Sequence, residues 1–98
     1  MARVEVTPEA QADLERLFEL IAERDPVRAR KRLVSVRRAL ELLGDHPLMG
    51  RQAEEGQREL ILLRGSSAYI ARYFYLPSVD VVFVLRVRDP REAGYDEE

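Results

Sequence analysis

The sequence predicts an α+β domain of order β-α-α-β-β-β, a helical hairpin packed on one face of a small antiparallel sheet. Two stretches between Thr7 and Gly44 place apolar residues at helical spacing, and each opens on a capping residue followed by proline. Three strand-like runs joined by short turns then fill Arg58 to Val87. With 98 residues the chain has room for one core and no second, so helices and strands must share it. Residues 1–95 are expected to form that single domain, with Asp96–Glu98 as an acidic tail.

"RVEV" (Arg3–Val6) alternates polar and apolar residues and reads as a short first strand. "TPEA" then starts a helix, with Thr7 as N-cap, Pro8 at the first helical position and Glu9 against the positive end of the dipole. Ala10, Leu14, Leu17, Phe18 and Ile21 mark its apolar stripe. Asp25 and Pro26 repeat the start signal. Behind them Ala29, Leu33, Val36, Leu40 and Leu43 follow a 4-3-4-3 spacing, and Gly44 is placed to end the helix. A joint this short folds the helices back on one another. The stripe is too short for a coiled coil and reads as core.

After a polar loop (Gly44–Gly56) come "RELILLR" (Arg58–Arg64), a turn at Gly65–Ser66, "SAYIARYFY" (Ser67–Tyr75), a second turn in "LPSVD", and "VVFVLRV" (Val81–Val87). Short turns make the three an antiparallel meander. On the last run Val81, Phe83, Leu85 and Val87 form one face, expected to meet the helices. Val82, Val84, Arg86 and Arg88 form the other. Together with Arg58 and Arg72 from the neighbouring strands, Arg86 and Arg88 are expected to converge on an uncovered face, provided the register cooperates. Arg91 and Tyr95 follow at the strand's exit.

Composition narrows the function classes. There is no cysteine, which excludes disulfides and thiolate metal sites and fits a reducing cytoplasm. The single histidine, His46, precedes a proline in a loop, so no metal site and no cofactor are expected. No apolar run approaches the roughly 20 residues that span a bilayer, and Arg3 and Glu5 interrupt any signal-peptide core. A net charge of −2 argues against wholesale attraction to nucleic acid. The charge is nevertheless segregated: "RARKRLVSVRR" (Arg28–Arg38) carries six basic residues and no acid. A solvated face pairing with acids of the first helix accounts for that run, and docking of an acidic partner segment or DNA is the alternative. Surface ion pairs with Asp89, Glu92 and the tail would likewise account for Arg88 and Arg91. Tyr95 could simply cover the sheet's end.

The ordered set of motifs resembles the RelE/ParE superfamily of type II toxin–antitoxin toxins, closer to the ParE branch. It runs from Val4 to Tyr95: "TPEAQADL", the joint Asp25-Pro26-x-x-Ala29, the loop Pro47-x-x-Gly50-Arg51, "REL" (Arg58–Leu60), "YIARY" (Tyr69–Tyr73) and "VLRVRDPREAGY" (Val84–Tyr95). ParE-like members often carry a histidine after the strand's last arginine. This chain has Asp89 there, followed by Pro90.

The resemblance implies a cytoplasmic toxin held in a hetero-oligomer by a cognate antitoxin, whose C-terminal segment would wrap the helices and the sheet edge. The rim of the hairpin groove around Leu14, Phe18, Leu33 and Leu40 would serve it. ParE-like members poison DNA gyrase without a catalytic constellation. Arg58, Arg72, Arg86, Arg88, Arg91 and Tyr95 would then be target- or antitoxin-binding residues. RelE-like members cleave mRNA on the ribosome, and Arg58, Arg91 and Tyr95 would be catalytic. A diverged, non-toxic nucleic-acid-binding adaptor is a third possibility. The lysines that usually line the RelE-like sheet are absent, since Lys31 belongs to the second helix.

Overall fold

A computed structural model describes residues 1–63 and 68–90. In chain order it contains β1 (Arg3–Val6), α1 (Pro8–Ala22), α2 (Pro26–Asp45), β2 (Arg51–Gln52), β3 (Arg58–Leu62), β4 (Tyr69–Leu76) and β5 (Val81–Arg88), with one 3-10 turn at Glu54–Gly56. Both helix starts are capped as their sequences dictate. Thr7 Oγ1 accepts from the Ala10 amide at 3.2 Å and Asp25 Oδ1 from the Arg28 amide at 3.0 Å, and Pro8 and Pro26 follow the two caps. The hairpin joint is Glu23–Asp25.

Gly44 does not end α2. The helix continues to Asp45, with His46 as C-cap, and Gly44 marks a close crossing instead. The Ala2 amide donates to the Gly44 carbonyl at 2.8 Å, and a Cβ on Gly44 would stand 2.6 Å from the Ala2 carbonyl oxygen.

The strands form one sheet of order β1-β5-β4-β3-β2. The meander β3-β4-β5 is antiparallel, as its turns require. β1 joins it parallel to β5, in register from Arg3 opposite Val81 to Val6 opposite Val84, so the sheet is mixed. The parallel pairing is possible because the helices, β3 and β4 all intervene, a connection long enough for a crossover. The loop after α2 also contributes the two-residue edge strand β2.

One irregularity decides which side of β5 is covered. Arg72 pairs with Arg86, but the next residue, Tyr73, pairs with Val84, leaving Leu85 as an extra residue in a bulge. The alternation therefore shifts by one. Val82, Val84 and Val87 pack into the core with Ala10, Leu14, Leu17, Val36, Leu40 and Leu43. The expected helix-facing set of Val81, Phe83, Leu85 and Val87 is thus corrected: only Val87 belongs to that core, and Val82 and Val84 take the other two places. The same shift keeps Arg86 and Arg88 on the uncovered face. Facing the helices from β4 are Tyr69, Ala71 and Tyr73, with the rings of Tyr69 and Phe18 edge to face at 6.3 Å between centroids.

Candidate functional site

On the uncovered face one row of charged residues crosses four strands. Arg51 lies opposite Glu59, Glu59 opposite Arg72, and Arg72 opposite Arg86. Like charges directly opposite one another destabilise a sheet unless compensated, and two carboxylates do the compensating. Glu59 Oε1 accepts from Arg51 Nη2 at 3.1 Å, and its Oε2 accepts from Arg72 Nε and Nη2 at 3.1 and 2.9 Å. The third corner of the Arg72 fork donates to Gln57 Oε1 at 3.0 Å. Arg86 turns instead to Asp13 on α1, donating from Nε at 2.9 Å and Nη2 at 3.1 Å. Arg88 continues the face opposite Ile70, and Phe74 and Phe83 pair on the same face on the other side of the Arg72–Arg86 pair.

Burial alone would push the Glu59 carboxyl up. Hydrogen bonds and charge from Arg72 and Arg51 outweigh it, and hold the group below the ordinary glutamate range. Glu59 is therefore a poor proton acceptor. The Asp13 oxygens take three donors, two from Arg86 and one from the Val87 amide.

Arg58 is not part of this row. It sits opposite Tyr73, on the side of the sheet that faces the helices, and its Nη1 donates to the carbonyls of Leu48 and Gly50 at 3.2 and 2.8 Å. The expected convergence of Arg58 with Arg72, Arg86 and Arg88 is corrected accordingly: β3 begins one step out of phase, and Glu59 takes the open-face position. Arg58 instead pins the loop before β2. The buried Tyr73 assists, its hydroxyl accepting from the Gly50 amide at 2.9 Å. Burial pushes the Tyr73 phenol up, only partly offset by the Gly50 N–H and the Arg58 charge, so it stays protonated. Only glycine fits at position 50, because a Cβ would stand 2.7 Å from both the Glu59 carbonyl and the Tyr73 ring. Arg91 and Tyr95 lie outside the described residues.

Two hollows, each of about 320 Å³, flank the helical hairpin and meet at Leu33. One is walled by Val4 and Val6 of the edge strand β1, by Leu14 and by Leu40, with Arg37 and Glu41 at its rim. The other runs between the helices over Phe18 and Ala29, with Glu15, Glu19 and Arg30 around it. Leu14, Leu33 and Leu40 line the first hollow and Phe18 and Leu33 the second, so only Leu33 is common to both, and Leu14 and Leu40 are almost wholly core. No helix is long and apolar enough to cross a membrane, and no group of potential metal ligands occurs among the described residues.

A family model described as the ParE toxin of the type II toxin–antitoxin system, parDE, matches residues 4–94. The chain belongs to that family. Its fold is shared by a chain of the chromosomal ParDE toxin–antitoxin system from P. aeruginosa, 22% identical, with a TM-score of 0.75 over 91% of this chain and 96% of that one. It is also similar to a chain of the toxin–antitoxin complex RelBE2 from Mycobacterium tuberculosis, 24% identical, with a TM-score of 0.58 over 90% of this chain and 96% of that one. No curated protein sequence matches the chain.

Two residues of this ParE-family face escape a reading of the sequence by its arginines, namely Asp13 and Glu59. Both are acids at apolar positions. Asp13 stands among Ala10, Leu14 and Leu17 on the buried side of α1, and Glu59 is nearly as buried within β3. An acid in an apolar register, in a chain with arginines inside its strands, was the available signal.

Proposed function

We propose that this ParE-family chain arrests growth by poisoning DNA gyrase in the cytoplasm, and that a cognate antitoxin neutralises it. The observation that carries the reading is the state of the two acids on the arginine face. A nuclease needs a group able to take the 2′-hydroxyl proton near neutral pH. Glu59 accepts from Arg51 and Arg72 and is held below the ordinary glutamate range, and both Asp13 oxygens are occupied by Arg86 and the Val87 amide. Arg58 is spent on a loop. Among the described residues the open face is cationic and aromatic and suits binding, with Arg72, Arg86 and Arg88, each held in place by partners within the chain, as its proposed target contacts. Arg91 and Tyr95, which follow β5 in the sequence, are proposed as further contacts.

The antitoxin segment is proposed to lie along the two hollows of the hairpin and against the open edge of β1. The apolar floor at Leu33 would take its side chains, and Arg30 and Arg37 would meet acidic groups at the rim. Toxin and antitoxin would then form a hetero-oligomer that leaves the opposite sheet face for the target.

The first test is induction of the gene alone and together with the short reading frame beside it. Growth arrest that the neighbour relieves is expected, as is loss of arrest when Arg86 and Arg88 are both reversed to glutamate with antitoxin binding retained. A chain tolerated at high expression would make it a non-toxic adaptor. Ribosome-dependent mRNA cleavage is the second reading, favoured by the fold shared with the RelBE2 complex.

A further inference from the structure

Asp13 has two roles in the same place. β1 pairs with β5 only as far as Val84, so the edge of β5 beyond that point needs other partners. Thr7 supplies the first, its Oγ1 donating to the carbonyls of Val84 and Leu85 at 2.9 and 3.2 Å. Asp13 supplies the next, its Oδ2 accepting from the Val87 amide at 2.9 Å. That same carboxylate grips the Arg86 guanidinium through two nitrogens. The bulge at Leu85 brings Arg86 to the arginine row, and Asp13 then fixes the plane of its fork, since a bidentate arginine–carboxylate pair sets orientation as well as distance. Arg86 remains about a quarter exposed, whereas Asp13 is 4% exposed and out of reach of any partner.

We propose that Asp13 is a positioning residue: it holds the Arg86 guanidinium in one orientation at the rim of the open face, so target engagement depends on an acid that never touches the target. This rests on the reading of that face as the target-binding surface.

Asp13→Asn separates the two roles. With its oxygen in the place of Oδ2 the amide still accepts from Val87, which keeps the strand edge closed, and leaves Arg86 Nε only a neutral acceptor. Its NH2 group meets Arg86 Nη2 donor to donor and breaks the two-point grip. In ¹H–¹⁵N spectra of the full chain, the Arg86 Nε–H should be a slowly exchanging signal in the wild type. In D13N its exchange should quicken roughly tenfold or more, the loss expected for a charge-assisted bond. The second measurement is a double-mutant cycle with Arg86→Gln, read as trapped gyrase–DNA complexes. D13N should lower trapping by about tenfold, to near the R86Q level, and the double variant should fall no further. If D13N loses its dispersed spectrum, Arg86→Lys serves instead. Lysine keeps the charge and a contact with Asp13 but not the bidentate plane, and should trap as poorly as R86Q.

An unchanged Nε–H signal in D13N, independent losses that multiply in the double variant, or full activity in R86K would each overturn the proposal. A wild-type chain that traps no gyrase would overturn the target reading and the proposal with it. That failure is told apart because it needs no variant.

Discussion

Replacing Glu59 with glutamine removes one charge from the centre of the arginine row and almost no volume. The two sides of that carboxylate differ in worth. The Arg51 side chain is 70% exposed, so its bond contributes about 0–1 kcal/mol. The Arg72 side chain is 24% exposed and donates two charge-assisted bonds, contributing about 1.5–3 kcal/mol. A glutamine can accept through one oxygen only, and its NH2 group meets a guanidinium donor to donor. Arg72 is left facing Arg86 across the strand pair without its counter-charge. The expected loss is about 2–4 kcal/mol, a drop in Tm on the order of 10–25 °C for a domain of this size.

Urea unfolding followed by circular dichroism reads this as a lower midpoint at unchanged slope. Adding Arg72→Gln to Glu59→Gln should recover part of the loss, on the order of 1 kcal/mol, because no charge is then stranded. The pH dependence has a definite sign. The Glu59 carboxyl lies below its ordinary range in the folded state, so in acid the unfolded state binds more protons. Its stabilisation is present in full above the unfolded glutamate pKa and is lost as pH falls through the lower folded one. Glu59→Gln should lack that part of the acid lability. A variant within about 0.5 kcal/mol of wild type, with an unchanged acid profile, would refute the reasoning and make the row ordinary surface charge.

Tyr73→Phe deletes the acceptor of the buried Gly50 amide, and should cost about 1–3 kcal/mol in chemical unfolding. Gly50→Ala should cost more than Tyr73→Phe in the same assay, because its Cβ meets the Glu59 backbone oxygen and the Tyr73 ring together. Reversing the exposed Arg30 and Arg37 to glutamate should leave stability within about 0.5 kcal/mol while weakening antitoxin binding at least roughly tenfold by calorimetry. Unchanged affinity there would move the antitoxin away from the hairpin hollows.

Much of this architecture is legible in the sequence because its signals are local. Thr7-Pro8 and Asp25-Pro26 announce both helices, and the apolar spacing behind them marks the buried faces. The short turns make the meander antiparallel. What stays hidden depends on pairs of distant residues. Nothing in "VVFVLRV" declares that Leu85 is a bulge, because a bulge exists only relative to the partner strand. Yet that one residue decides whether Val81 or Val82 faces the helices. The placement of Arg58 fails for the same reason, since a phase difference of one residue sends a side chain through the sheet. Arg72, Arg86 and Arg88 do share the open face, but their acids come from elsewhere, Asp13 from 73 residues earlier in the chain. Gly44 reads as a helix stop because that is its commonest use, whereas the reason for it here is the backbone of Ala2 crossing above it.

The measurement that bears most directly on the account uses the purified, antitoxin-free chain in two parallel reactions, one with DNA gyrase and supercoiled plasmid, the other with programmed ribosomes and mRNA. Trapped gyrase–DNA cleavage complexes, with the mRNA intact, are the predicted result and would make the arginine face a binding surface. Ribosome-dependent cleavage with gyrase unaffected would contradict it, and would make that face part of an active site.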